Sequence, residues 1–223
     1  MKTAEEFFSE DERGRIDQAV AEAEKKTSAE IVPVLATASG RYDRAEDVVG
    51  LWVGLVALAA LWILFQGIGR DAWGQPALKM ELIPVVVIVV VGFIVGAVLA
   101  ARVGPLRRLF IPRGQMQAEV EAKARQGFFD QEIHKTAGGT GVILYVSLYE
   151  RMAVVLGDEK VNEYFTASDW ENVRDMIVDG FKQGRACDGY CRAIARAGDL
   201  LAEHLPIQPD DVDELPNRLR IVE

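Results

Sequence analysis

The chain has 223 residues, half of them hydrophobic, enough for one ordinary domain together with long apolar segments. Its formal net charge of −9 argues against nucleic acid as a main partner, and none is expected. Cys187 and Cys191 stand four apart, and His134 and His204 are not at metal-ligand spacing, which favours structural thiols over a zinc site.

The opening MKTAEEFFSEDERGR has one early lysine, then acids, and no apolar core, so no signal peptide is expected and the N-terminus is expected in the cytosol. Ser9 to Glu12 reads as a capping box. The helix behind it presents Ile16, Ala19, Val20 and Ala23 at helical spacing and ends near Lys25 and Lys26. Glu30 to Thr37 is a strand rich in Val and Ile. Pro33 cannot donate to a ladder, so this strand is expected at an edge, or to begin its pairing after the proline.

Two uncharged runs follow, Val48 to Gly69 and Leu82 to Ala101. Each matches the ~20 residues that cross ~30 Å of hydrocarbon as a helix. Pro84 fits the first turn of the second. Arg102, Arg107, Arg108 and Arg113 follow the second run with no acid among them, whereas the connector Arg70 to Glu81 is mixed in charge. The positive-inside rule then places both termini in the cytosol and the connector outside, with Trp62 and Trp73 as interfacial anchors. The arginine cluster is also suited to lipid headgroups. Gly50 and Gly54, and Gly92 and Gly96, form one GxxxG pattern per run. Such patterns permit a homo-oligomer through the spans, although packing within the hairpin is the simpler reading.

Beyond the second run, Met116, Val120, Ala124 and Phe128 recur every four residues on a helix opened by Gly114. HKTAGGTG is a loop, and GVILYVSL, Gly141 to Leu148, is apolar on both faces, as in a doubly covered central strand. A short turn leads to a strand over Met152 to Leu156, hence an antiparallel pair. Glu150 and Arg151 lie in that turn, where a surface charge is the default. Ser168 to Glu171 reads as a second capping box, before an apolar stripe of Trp170, Val173, Ile177 and Phe181. A last helix runs from about Asp188 to Leu205, burying Tyr190, Ile194, Ala197, Leu201 and Leu205, and Pro206 stops it. The remainder is an acidic, extended tail.

Neither flank of the apolar runs holds enough strands to close a core alone. The Glu30 strand has no mate before them, so its partners must come from Gly141 to Leu156. The expectation is an α/β domain: a small mixed sheet sandwiched by helices and interrupted by a two-helix transmembrane hairpin. Its first part is residues 1–47, the hairpin 48–101, its second part 102–205, and the tail 206–223.

TSAEIVPVL after an amphipathic helix, then GTGVILYVSLYERMAVVLGD, then FKQGRACDGYCRAIARAGDLLAEHLP, resemble in order the TPM domain family. That family is named for a thylakoid lumen protein, photosystem-linked relatives and a nematode receptor-assembly factor. PDDVDELPNRLRIV resembles the tail of a bacterial membrane branch. The resemblance implies a small sheet between helices, a part in repair or assembly of membrane complexes, divalent metal binding, and an acid phosphatase activity. The chain departs from many members, which carry a signal peptide and a C-terminal anchor and face outward.

No nucleophile elbow, P-loop or His–carboxylate spacing is present. The acids at element ends are the candidate ligands for Ca²⁺ or Mg²⁺, which prefer oxygens from several loops. Asp158 follows the MAVVL strand, Asp188 precedes the last helix, and Glu30 heads the first strand. Asp158 and Asp188 also match acidic or polar loop positions of the resembled family. Each has a plainer reading: Asp188 as a helix cap, Asp158 as a turn residue, Glu30 as a solvated strand end. Two functions are carried forward. One is a membrane-tethered interaction module of the inner (plasma) membrane, whose partners are the bilayer and other membrane proteins. The other is a metal-dependent phosphatase using the three acids.

Overall fold

The computed structural model describes residues 2–67, 82–131, 133, 140–208 and 215–223. The connector between the apolar runs, with Trp73, and the loop carrying His134 lie outside them. The chain forms two compact units, one of residues 1–40 with 114–223 and one of residues 41–113.

In the first unit, α1 (Ala4–Phe7) and α2 (Glu10–Glu24) precede β1 (Ile31–Ala36). Ser9 and Glu12 make the expected capping box, the Ser9 amide donating to Glu12 Oε2 at 2.9 Å. The second unit holds α3 (Asp43–Gly67), α4 (Leu82–Arg102) and a short α5 (Gly104–Leu109). The first unit resumes in α6 (Arg113–Asp130), β2 (Val142–Ser147), β3 (Met152–Gly157), α7 (Glu159–Asn162), α8 (Ala167–Lys182), α9 (Ala186–His204) and β4 (Arg220–Val222).

The sheet is mixed, in the order β3-β2-β1-β4. β1 runs parallel to β2 with Ile31 opposite Val142, and β2 and β3 form an antiparallel hairpin. Because side chains alternate along a strand, β1 and β2 serve two cores. Ile31, Leu35, Val142, Leu144 and Val146 pack with Ile16, Val20, Ile177, Ile194 and Leu201 from α2, α8 and α9. Val32, Val34, Ile143 and Tyr145 pack on the other face with Val120, Ala124 and Phe128 of α6. Each such side chain contributes roughly 1.5–3 kcal/mol by leaving water.

Three local expectations change. β1 is not an edge strand but lies between β2 and β4, and the alternative expectation, pairing that begins after the proline, holds on the β4 side. The Thr37 amide donates to the Val222 carbonyl, so by alternation the Pro33 nitrogen also faces the β4 side. β4 begins only opposite Val34, so the proline forfeits no ladder bond. The tail is not merely extended, since it supplies this fourth strand. The α8 cap is Thr166 with Asp169, two residues before the predicted box.

Close approach explains two glycines. A Cβ at Gly189 would lie 2.7 Å from Gly180 Cα, so α8 and α9 cross backbone to backbone. α9 also lays both cysteines against α2, Cys187 Sγ being 3.6 Å from the Glu12 carbonyl and Cys191 Sγ 3.7 Å from that of Arg15. Burial, with the neighbouring Cys191, pushes the Cys187 thiol from 9.0 up to about 12. Above pH 9 the unfolded chain therefore releases this proton while the folded chain keeps it, and stability falls as pH rises. We expect Cys187→Ala to reduce that loss between pH 9 and 10 without abolishing it, because burial raises the Cys191 thiol as well, in thermal melts recorded across that range.

In the second unit the GxxxG patterns face each other. A Cβ at Gly96 would meet Gly50 Cα at 2.9 Å, and one at Gly92 would meet Gly54 Cα at 3.0 Å. The partner numbers run in opposite senses, so α3 and α4 are antiparallel. A homo-oligomer through these helices would have to use another face. Arg107 of α5 pairs with Glu46 at 2.9 Å, both partly buried.

Candidate functional site

The C-terminal ends of β1 and β2 and the turn into β3 hold a buried polar cluster. Ser147 ends β2, and its hydroxyl donates a hydrogen bond to Glu150 Oε2. Glu150 is fully buried, and its Oε1 accepts from the backbone amides of Ser39 at 3.0 Å and Gly40 at 3.2 Å. The residues that leave β1 are thereby fastened to the β2–β3 turn. Ser39 Oγ lies 3.1 Å from the Tyr145 hydroxyl. Burial pushes the Tyr145 phenol up, and the Glu150 charge adds to this. On the other side of the sheet, the Tyr190 hydroxyl lies 2.7 Å from the Leu144 carbonyl and 3.0 Å from that of Val34. Burial likewise raises that phenol.

Arg151, next to the buried acid, has φ +55°. A non-glycine residue in this left-handed region costs roughly 1–2 kcal/mol, and such strain persists where its surroundings impose it. Here the turn must place Glu150 inward, and Arg151 follows it at the surface, largely exposed. Arg151 lines two grooves, both of which border the start of β3.

The first groove, of about 800 Å³, runs along β3 between α6 and α8. β3 is the outer strand of the sheet. The Asp158 amide donates to the Gly141 carbonyl at 2.9 Å, which fixes the hydrogen-bonded pairs of the β2–β3 ladder. Alternation turns the N–H and C=O of Ala153, Val155 and Gly157 away from β2. Asn162 Nδ2 donates to the Gly157 carbonyl, and Ala153 and Val155 line the groove. The second groove, of about 610 Å³, lies between β3, the start of the chain and α8.

Of the three acids predicted as metal ligands, Asp158 and Asp188 have other side-chain partners. Asp158 is the N-cap of α7, accepting from the Glu159 amide at 2.7 Å. Asp188 is not in a loop but in the first turn of α9, where an acid suits the helix dipole. It pairs with Arg15 at 2.6 Å, and that guanidinium holds its carboxyl below the usual carboxylate range. Glu30 is buried just before β1, its carbonyl accepting from the Val142 amide. Glu30 and Asp158 both flank the Gly141–Val142 end of β2, on opposite sides, which sets their backbones about 10 Å apart. Among the described residues, no group of three or more His, Cys, Asp and Glu side chains is placed to hold a metal ion.

Sequence reasoning missed Glu150. The available signal was Ser147-x-x-Glu150 closing an unbroken apolar strand, a spacing at which a hydroxyl and a carboxylate can meet. Reading the turn as a surface hid it.

No protein-family model matches the chain, and no curated protein does either. The fold is similar to a solved structure, the NMR structure of the BA42 protein from the psychrophilic bacterium Bizionia argentinensis. The TM-score is 0.58 at 22% identity, covering 99% of this chain and 99% of that one. At this identity the likeness concerns the fold.

Proposed function

We propose that the chain is a membrane-anchored docking domain of the TPM type, serving assembly or maintenance of a membrane protein complex. The observation that carries the reading is the surface of α3 and α4. Their apolar windows have mean hydropathy 2.2 and 3.2, yet only 17% and 6% of them are buried. The core helix of a water-soluble protein would be mostly buried. Here Trp52, Val56, Ile63 and Val87 are more than half exposed. Lipid is the solvent in which such a surface is stable. The excess of arginine after α4 supports a cytosolic location for both termini, at a bacterial inner membrane.

The docking face we assign is the edge of β3. A strand edge with outward amide and carbonyl groups accepts an extended segment of another protein by strand addition. Side chains of α6 and α8 wall the groove and would select the segment that enters it. Ala153→Pro tests this without breaking the β2–β3 ladder, because the amide it removes points outward. In detergent extracts of its own membranes, the wild-type chain should retain co-purifying membrane proteins that the proline variant loses, with both equally membrane-bound. An identical set of co-purifying proteins would remove β3 as the docking edge. The structure offers the phosphatase reading no comparable support, since its three acids serve as a cap, an ion-pair partner and a strand head.

A further inference from the structure

The second groove has a composition unlike the rest of this acidic protein. Its floor is apolar, built by Phe7, Leu148, Ile177 and Phe181. Its charged lining residues are Lys2, Arg151 and Lys182, and no carboxylate lines it among the described residues. Lys182 also reaches Asp179 at 3.3 Å, with both side chains largely exposed, so that pair is held weakly. In a chain of net charge −9, three cations around an apolar cleft form a local reversal of sign. Arg151, which lines the cleft, is also the residue held in the left-handed region. Glycine would occupy that backbone without strain, yet an arginine stands there.

We propose that this groove binds a single-chain anionic amphiphile, with a fatty carboxylate as its ligand. The alkyl chain would lie on the partly buried phenylalanines of the floor, which removes it from water. The carboxylate would sit at the rim, where a guanidinium can donate two parallel hydrogen bonds and the lysines add charge. The neutral and cationic counterparts of the same chain length would gain the floor but not the rim. Every lining residue belongs to the sheet domain, so the inference is independent of the membrane reading.

The test uses the full chain in phosphatidylcholine nanodiscs, titrated calorimetrically with decanoate, decanol and decyltrimethylammonium. Uptake by the bilayer is the same for all protein variants and is subtracted with empty discs. Decanoate should bind saturably with one site per chain, and the other two should bind at least about tenfold more weakly. Arg151→Gly should weaken decanoate about tenfold while leaving the melting temperature unchanged or raised, because the backbone strain is relieved. A residue with only a structural role would not separate affinity from stability in this way. Lys182→Gln provides a second, milder loss of affinity and carries the same readout should the glycine variant fail to fold. Equal binding of decanol or decyltrimethylammonium would overturn the proposal, as would unchanged decanoate affinity in Arg151→Gly, or uptake that never saturates.

Discussion

Glu150→Leu should lower the melting temperature of the sheet domain by about 6–12 °C. The substitution removes a fully buried carboxylate that accepts from the Ser39 and Gly40 amides and from the Ser147 hydroxyl. Leucine offers no acceptor, so two backbone amides and one hydroxyl lose their partner away from water. Each orphaned group costs about 1–3 kcal/mol, and a loss near 3 kcal/mol overall corresponds to that shift for a domain of this size. Glu150→Gln keeps a carbonyl oxygen for the two amides and should cost about half as much. Scanning calorimetry of both variants checks the order. If the leucine variant melted with the wild type, the acid would not be what fastens the end of β1 to the β2–β3 turn.

Replacing residues 41–113 by a flexible linker of about 20 Gly and Ser residues, with a mean span of about 25 Å, should yield a folded, water-soluble protein. All four strands and both core clusters belong to residues 1–40 and 114–223. Deleting residues 1–40 should do the opposite. It removes β1, the strand that pairs with both β2 and β4, and leaves each with an open edge in place of its parallel neighbour. A dispersed amide NMR spectrum for the linker variant, and a collapsed one for the deletion, would show that one sheet is assembled from both flanks of the apolar helices. A collapsed spectrum for the linker variant would mean that the sheet domain does not hold together without α3 and α4.

The sequence carried the fold wherever periodicity was strong. The four-residue recurrence of Met116, Val120, Ala124 and Phe128 lies on the buried face of α6. The unbroken apolar run of β2 is a strand covered on both faces. Strand counting also required β1 to pair across the intervening helices, as it does. β4 escaped because three residues in an acidic, proline-containing tail carry no period, and only a partner strand makes them extended. Of the two expectations set by Pro33, the edge position failed and pairing after the proline held on the β4 side, which is the side the missing amide faces. The site was less legible. Asp158 and Asp188 stood out by type and position, but a helix start can employ an acid as a cap or dipole partner without any ligand. Glu150 did not stand out, because its burial depends on the amides of Ser39 and Gly40, more than a hundred residues earlier in the chain.

The proposed function requires that α3 and α4 lie in a bilayer. Alkaline carbonate extraction of cell membranes tests it most directly, because high pH strips peripheral proteins and leaves lipid-embedded ones behind. The full chain should remain wholly in the membrane pellet and be released only by detergent. The variant lacking residues 41–113 should appear in the soluble fraction before any carbonate is added. Release of the full chain by carbonate alone would mean that α3 and α4 are not embedded in lipid.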